Sequence, residues 1–137
     1  MPRQSKIIID TNLWISFLIG KELQNLKGSI LTEQIKLMTT DQLNMELRVV
    51  TSREKLRKYF DQDKINDLFS FLEIIAENVK VKKIEKVCRD EKDDFLLALA
   101  KESKAEFLIT GDKDLLTMKS YGKTEIITAK RFKELFE

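Results

Sequence analysis

The 137-residue chain has no histidine, one cysteine, one proline and four glycines. Each scarcity closes off a class of chemistry. Without histidine there is no Ser-His-Asp triad, no Cys-His pair, no histidine-ligated zinc and no imidazole base. The lone Cys88 forms no intrachain disulfide and no cysteine-based zinc site. Long apolar runs are missing too: none approaches the roughly 20 residues that span a bilayer. The opening Met1-Pro2-Arg3-Gln4-Ser5-Lys6 leads straight into a short apolar stretch and an aspartate, without the apolar region and cleavage site of a signal peptide. A cytoplasmic protein is expected. Any catalysis must draw on carboxylates, lysines, hydroxyls or a bound cation.

So few breakers, with no repeat and no Ser/Gly linker, leave no visible boundary, and 1–137 reads as one domain with one sizeable core. The net charge of +2 says little about partners by itself. If several carboxylates were gathered in one pocket, however, the remaining surface would be distinctly basic, which suits a polyanion that meets a metal.

Lys6-Ile7-Ile8-Ile9, short, apolar and β-branched, reads as a buried strand. A short helix over Leu13–Leu18 should break near Gly20, and a second helix is expected over Glu22–Gln34. Ile35–Thr40 reads as a strand, followed from Asp41 by a helix with Leu43, Leu47 and Val50 on one face. Asp61–Asn78 has the spacing of an amphipathic helix, carrying Ile65, Leu68, Phe69, Leu72 and Ile75 inward. Val79–Val81 (a weak strand), Asp93–Ser103 (helix), Glu106–Thr110 (strand to Gly111), Glu125–Ile127 (strand) and Ala129–Phe136 (helix) complete the pattern. Alternating strands and helices predict an α/β fold, a mainly parallel sheet between helical layers, with ligands bound beyond the carboxyl ends of its strands.

Asp10 follows Ile7-Ile8-Ile9, and Asp112 follows Phe107-Leu108-Ile109-Thr110-Gly111, so both stand at the carboxyl ends of strands. Each is also a natural helix cap. Glu46 lies three residues after Leu43 and four before Val50, on an apolar face. Burying an unpaired carboxylate costs several kcal/mol, so Glu46 is either functional or a rim residue that reaches out to water or pairs with a lysine. Asp93 has Leu96, Leu97 and Ala100 at i+3, i+4 and i+7, which centres it on the inward face, unless it serves as the N-cap. Asp94, with Leu97, Ala98 and Lys101 in its row, falls nearer the edge and is the weaker ligand candidate. Asp90 and Asp114 are outer candidates, Asp114 in an exposed turn. Thr11, Asn12 and Thr110 are placed to orient carboxylates or water, though such residues also serve turns. An oxygen-rich set of this kind suits Mg²⁺ or Mn²⁺, which lowers the pKa of a bound water and screens phosphate charge. The lysines and arginines are scattered: Lys55, Arg57 and Lys58, Lys80 to Lys86, Lys130 to Lys133. They form no nucleic-acid motif.

Ile7-Ile8-Ile9-Asp10-Thr11-Asn12 resembles the opening strand and Asp-Thr-Asn signature of PIN-domain proteins. Cys88 to Ala98 and Leu108 to Leu116 resemble the VapC-like branch, the toxin components of toxin–antitoxin systems. The likeness covers nearly the whole chain. It implies a three-layer α/β/α fold and an Mg²⁺- or Mn²⁺-dependent endoribonuclease acting on RNA. It places catalytic roles on Asp10, Glu46, Asp93 and Asp112, with Asp10, Asp93 and Asp112 as metal ligands and Thr11, Asn12, Asp94, Thr110 and Asp114 in support. It further implies a cognate antitoxin and a homodimer. Glu91 departs from the pattern, standing where relatives often have proline. Two rival readings remain: a phosphatase with Asp10 as nucleophile, which would want an aspartate where Asn12 stands, and a catalytically silent PIN-like module that binds RNA or protein.

Overall fold

The computed structural model describes residues 4–19, 26–28, 30, 32, 34–59 and 61–136. In chain order the elements are β1 (Ser5–Ile9), α1 (Thr11–Ile19), β2 (Ile35–Thr39), α2 (Asp41–Thr51), α3 (Glu54–Arg57), α4 (Gln62–Ile75), β3 (Glu77–Asn78), α5 (Glu91–Ser103), β4 (Phe107–Ile109), α6 (Lys113–Met118), β5 (Ser120–Tyr121), β6 (Thr124–Ile127) and α7 (Ala129–Phe136). The expected break at Gly20 and most of the helix expected over Glu22–Gln34 lie outside the described residues; residues 26–28 and 30 are helical.

Six strands form one sheet in the order β3-β2-β1-β4-β6-β5. All neighbours are parallel except β5 and β6. The two central strands carry the apolar runs Ile7–Ile9 and Phe107–Ile109, as strands covered by helices on both faces do. Ile7, Ile9, Leu37, Ile109 and Ile127 pack on one side with Trp14 and Phe17 of α1, Ile65, Leu68, Phe69 and Leu72 of α4, and Phe132 of α7. Ile8, Met38, Leu108 and Ile126 pack on the other with Leu96, Leu97, Leu99 and Ala100 of α5 and Leu115 of α6. Helix α2 divides between them, Leu43 on the second side and Leu47 on the first. This is the expected three-layer α/β/α arrangement.

Several boundaries differ from those read in the sequence, each for a local reason. The inward face of α2 is Leu43, Leu47 and Thr51, with Val50 only half-buried; the Thr51 hydroxyl donates to the Leu47 carbonyl at 2.9 Å, so it is buried with its polar group satisfied. Helix α4 stops at Ile75, not Asn78, because Ala76 turns extended. Glu77 and Asn78 then pair with Met38 and Thr39, and Val79 N–H donates to the Thr39 carbonyl at 2.7 Å. The open edge of β2 thus converts a helical sequence into a short strand, and the strand expected over Val79–Val81 is displaced two residues upstream. Helix α5 begins at Glu91 rather than Asp93, since Asp90 is its N-cap and accepts from Lys92 N–H. The strand expected over Glu106–Thr110 is the shorter β4, and α3, α6 and β5 are elements that the spacing did not reveal.

Residues 79–90 carry no helix or strand. They are held by Asp94, which is buried rather than at the edge. Its Oδ1 accepts from Val87 N–H at 2.8 Å and from Cys88 N–H at 2.6 Å. These two bonds lower the Asp94 pKa below the usual carboxylate value, Val87 contributing most. Asp94 therefore serves the backbone of this segment. Asp94→Ala should free it: trypsin cleavage at Lys80, Lys82, Lys83, Lys86 or Arg89 should quicken on the order of tenfold, the consequence of losing hydrogen bonds to a charged acceptor. Asp94→Asn keeps an accepting oxygen and should cleave at close to the wild-type rate. Equal rates in wild type and Asp94→Ala would remove this role.

Candidate active site

Parallel pairing of β1 with β4 brings Asp10 and Asp112 to the same edge of the sheet. Ile9 sits opposite Ile109, and Asp10 N–H donates to the Ile109 carbonyl at 3.0 Å, continuing the ladder one residue. Thr110, fully buried, joins the two aspartates. Its hydroxyl donates to Asp10 Oδ2 at 2.7 Å and accepts from Asp112 N–H at 3.0 Å. Burial raises the Asp10 pKa above its ordinary value. The hydrogen bonds from Thr110 and Thr11 oppose that shift, while Glu46 and Asp112 add to it. Asp112 is also the cap of α6, its Oδ1 accepting from Asp114 N–H at 2.8 Å and Leu115 N–H at 3.3 Å. Cap and site candidate are thus one residue.

Asp93 enters from the helical layer on the second side of the sheet, in the first turn of α5. It is 4% exposed, and its Oδ2 has no hydrogen-bond partner among the described residues. Burial, then the charges of Asp112 and Asp90 and a hydrogen bond with Asp112, push its pKa up to about 7. Asp93, Asp112 and Asp114 each present one carboxylate oxygen, all within 4.8 Å of one another. Asp114 is exposed, as its turn suggested, yet it belongs to this triad. Asp10 and Glu46 stand outside it, although both Asp10 and Asp93 sense neighbouring carboxylates electrostatically.

Glu46 is half-buried on α2. It is not alone there: Lys92 Nζ lies 3.1 Å from its Oε1, and Thr11 Oγ1 donates to its Oε2 at 3.5 Å, the outer limit of a hydrogen bond. The rim reading, a glutamate paired with a lysine, therefore describes its surroundings. Thr11 is buried and Asn12 exposed. Asp90 caps α5 while adding to the negative field on Asp93. Burial raises the Cys88 thiol to about 11, with the charges of Asp94 and Asp93 adding to the shift, so it stays protonated at neutral pH. Two residues at the rim escaped the sequence reading: Lys92, and Arg89, whose Nη2 lies 2.9 Å from Asp114 Oδ1. Their three-residue spacing around Asp90 was a faint signal, because the partners come from other elements.

The donor set can be tested against a divalent cation. Three clustered carboxylate oxygens, together with a buried Asp93 Oδ2 that has no hydrogen-bond partner among the described residues, match the hard oxygen ligands that Mg²⁺ and Mn²⁺ prefer.

Comparison with known proteins agrees with this architecture. An uncharacterized protein of Methanocaldococcus jannaschii is 34% identical over 148 residues, spanning 96% of this chain and 92% of the relative. No solved structure is a significant match. No helix among the described residues is long and apolar enough to cross a membrane. The family description "PIN domain" matches residues 6–114, a span that runs from β1 through Asp10, Glu46, Asp93 and Asp112 to Asp114, and this chain belongs to the PIN domain family.

Proposed function

We propose that this chain is a divalent-metal-dependent endoribonuclease, with residues 1–137 acting as one nuclease domain on single-stranded RNA. The observation that carries the reading is Asp93, buried with its Oδ2 unpartnered among the described residues and with a carboxylate oxygen within 4.8 Å of those of Asp112 and Asp114. Such an arrangement costs folding free energy, and a bound cation offsets that cost. Asp93 and Asp112, with Asp114 at the exposed side, would hold Mg²⁺ or Mn²⁺, and Asp10 would complete or support the set. When bound, the metal supplies a Lewis acid for the phosphate and an acidified water as nucleophile. Asp10, fixed by the Thr110 hydroxyl, keeps its carboxylate oriented toward the same edge. Glu46 would assist a ligand or the attacking water. The resemblance of the Asp-Thr-Asn opening and the two later segments to VapC-like proteins supports a cytoplasmic toxin with a cognate antitoxin, and a homodimer as its assembly.

Asp93 ties stability to pH. A carboxylate whose folded pKa is raised is stabilised in its protonated form, so the metal-free protein should lose stability as pH rises from about 4 to about 7. Asp93→Asn removes the buried charge. At pH 7.5 without metal it should melt a few degrees higher than wild type, the shift that about 1 kcal/mol produces in a chain of this size. Millimolar Mn²⁺ should raise the wild-type Tm, because it binds only the folded state, and should leave Asp93→Asn nearly unchanged. A metal-free Asp93→Asn protein less stable than wild type would contradict this assignment.

Activity is tested with defined single-stranded RNAs and Mg²⁺ or Mn²⁺. Cleavage should stop with chelator and leave 5′-phosphate ends, the product when water attacks in line and the 3′-oxygen departs; attack by the RNA's own 2′-hydroxyl would leave a 2′,3′-cyclic phosphate. Asp10→Asn and Asp112→Asn should each lose on the order of 10²-fold or more in rate. Asp94→Asn should lose less, since its oxygen serves the 87–88 backbone. Full activity in Asp10→Asn, or cyclic-phosphate products, would overturn the proposal.

A further inference from the structure

Two cations reach the acidic site from one short segment. Arg89 pairs with Asp114 at 2.9 Å and Lys92 with Glu46 at 3.1 Å. Asp114 opens α6, after β4, and Glu46 lies on α2, after β2. These strands flank β1 on opposite sides, so the two pairs stand on either side of Asp10. Neither cation is required by the core: their side chains are 87% and 66% exposed. Ion pairs this exposed are weak and exchange readily.

Asp114 has two suitors. It shares a triad with Asp93 and Asp112, and it holds the Arg89 guanidinium. A divalent cation drawn into the triad competes with Arg89 for that carboxylate. Once released, Arg89 stays anchored by the 87–88 backbone that Asp94 clamps, so its guanidinium remains beside the site. Its planar fork fits phosphate oxygens in the same way that it fits a carboxylate. Lys92 is placed likewise on the Glu46 side. An acidic cluster repels a polyanion, and Arg89 and Lys92 are cations paired with Asp114 of that cluster and with Glu46.

We propose that Arg89 and Lys92 are the phosphate-binding cations of this site, resting on Asp114 and Glu46 until a metal and an RNA backbone take their places. This rests on the nuclease reading for the identity of the polyanion. The competition between Arg89 and the metal does not.

The distinguishing signature is a pair of opposite effects. Mn²⁺ is titrated calorimetrically, without RNA, into wild type, Arg89→Ala, Arg89→Gln and Lys130→Ala, the last removing an exposed charge on α7. Both Arg89 variants should bind Mn²⁺ roughly three- to fivefold more tightly, the range that an exposed ion pair covers, and Lys130→Ala should match wild type. In parallel, kcat/KM on a single-stranded RNA is followed against salt at saturating Mn²⁺. Arg89→Ala and Lys92→Ala should each lower it and flatten the log–log slope by about 0.7, one phosphate contact on a single strand. Unchanged or weaker Mn²⁺ binding in the Arg89 variants, or an equal gain in Lys130→Ala, would overturn the competition. Unchanged salt slopes would overturn the phosphate role. A wild-type protein that cleaves no RNA would instead sink the nuclease reading, and the calorimetry would still decide whether Arg89 competes with the metal.

Discussion

Carboxylates that repel one another are held together because β1 and β4 are parallel neighbours. Parallel pairing puts the residues after both strands at one edge of the sheet, and the Thr110 hydroxyl ties them, donating to Asp10 and accepting from Asp112 N–H. Helix α5 then brings Asp93 in from the covering layer with one oxygen unpartnered. The apolar runs Ile7–Ile9 and Phe107–Ile109 make this possible. Apart from the half-buried Phe107 these residues are fully buried, and their packing holds the edge against the repulsion it carries.

The cost falls on Asp93. Its pKa near 7 reflects burial beside Asp112, Asp90 and Asp10, and a proton or a cation must relieve that charge. Asp94, one residue on, has the opposite environment: two backbone N–H groups satisfy it and lower its pKa. Adjacent aspartates thus divide two tasks. One keeps a buried oxygen unpartnered beside Asp112, while the other binds the irregular chain that carries Arg89 to the rim.

Much of this was legible in the sequence. An aspartate just beyond a short apolar run marks a strand end, which placed Asp10 and Asp112, and helical spacing placed Asp93 inward. The lysine-paired alternative for Glu46 was also foreseen, though its partner Lys92 was not. What escaped has a physical reason. Asp94 looked like an edge residue because its helical row includes Lys101, but an irregular segment with no periodicity covers it. Glu77 and Asn78 have little strand preference of their own; the open edge of β2 makes them a strand. Arg89 and Lys92 gain their positions from contacts between elements far apart in the chain, which spacing along one helix does not reveal.

The buried Asp93 oxygen points to the most direct measurement. Anomalous diffraction from crystals soaked in Mn²⁺ should show an ion bound by Asp93 and Asp112 at the carboxyl edge of β1 and β4, with the Arg89 guanidinium displaced from Asp114. Saturating Mn²⁺ that leaves this edge empty, or that binds only at Asp94 or on the outer surface, would contradict the reading of these carboxylates as a metal centre.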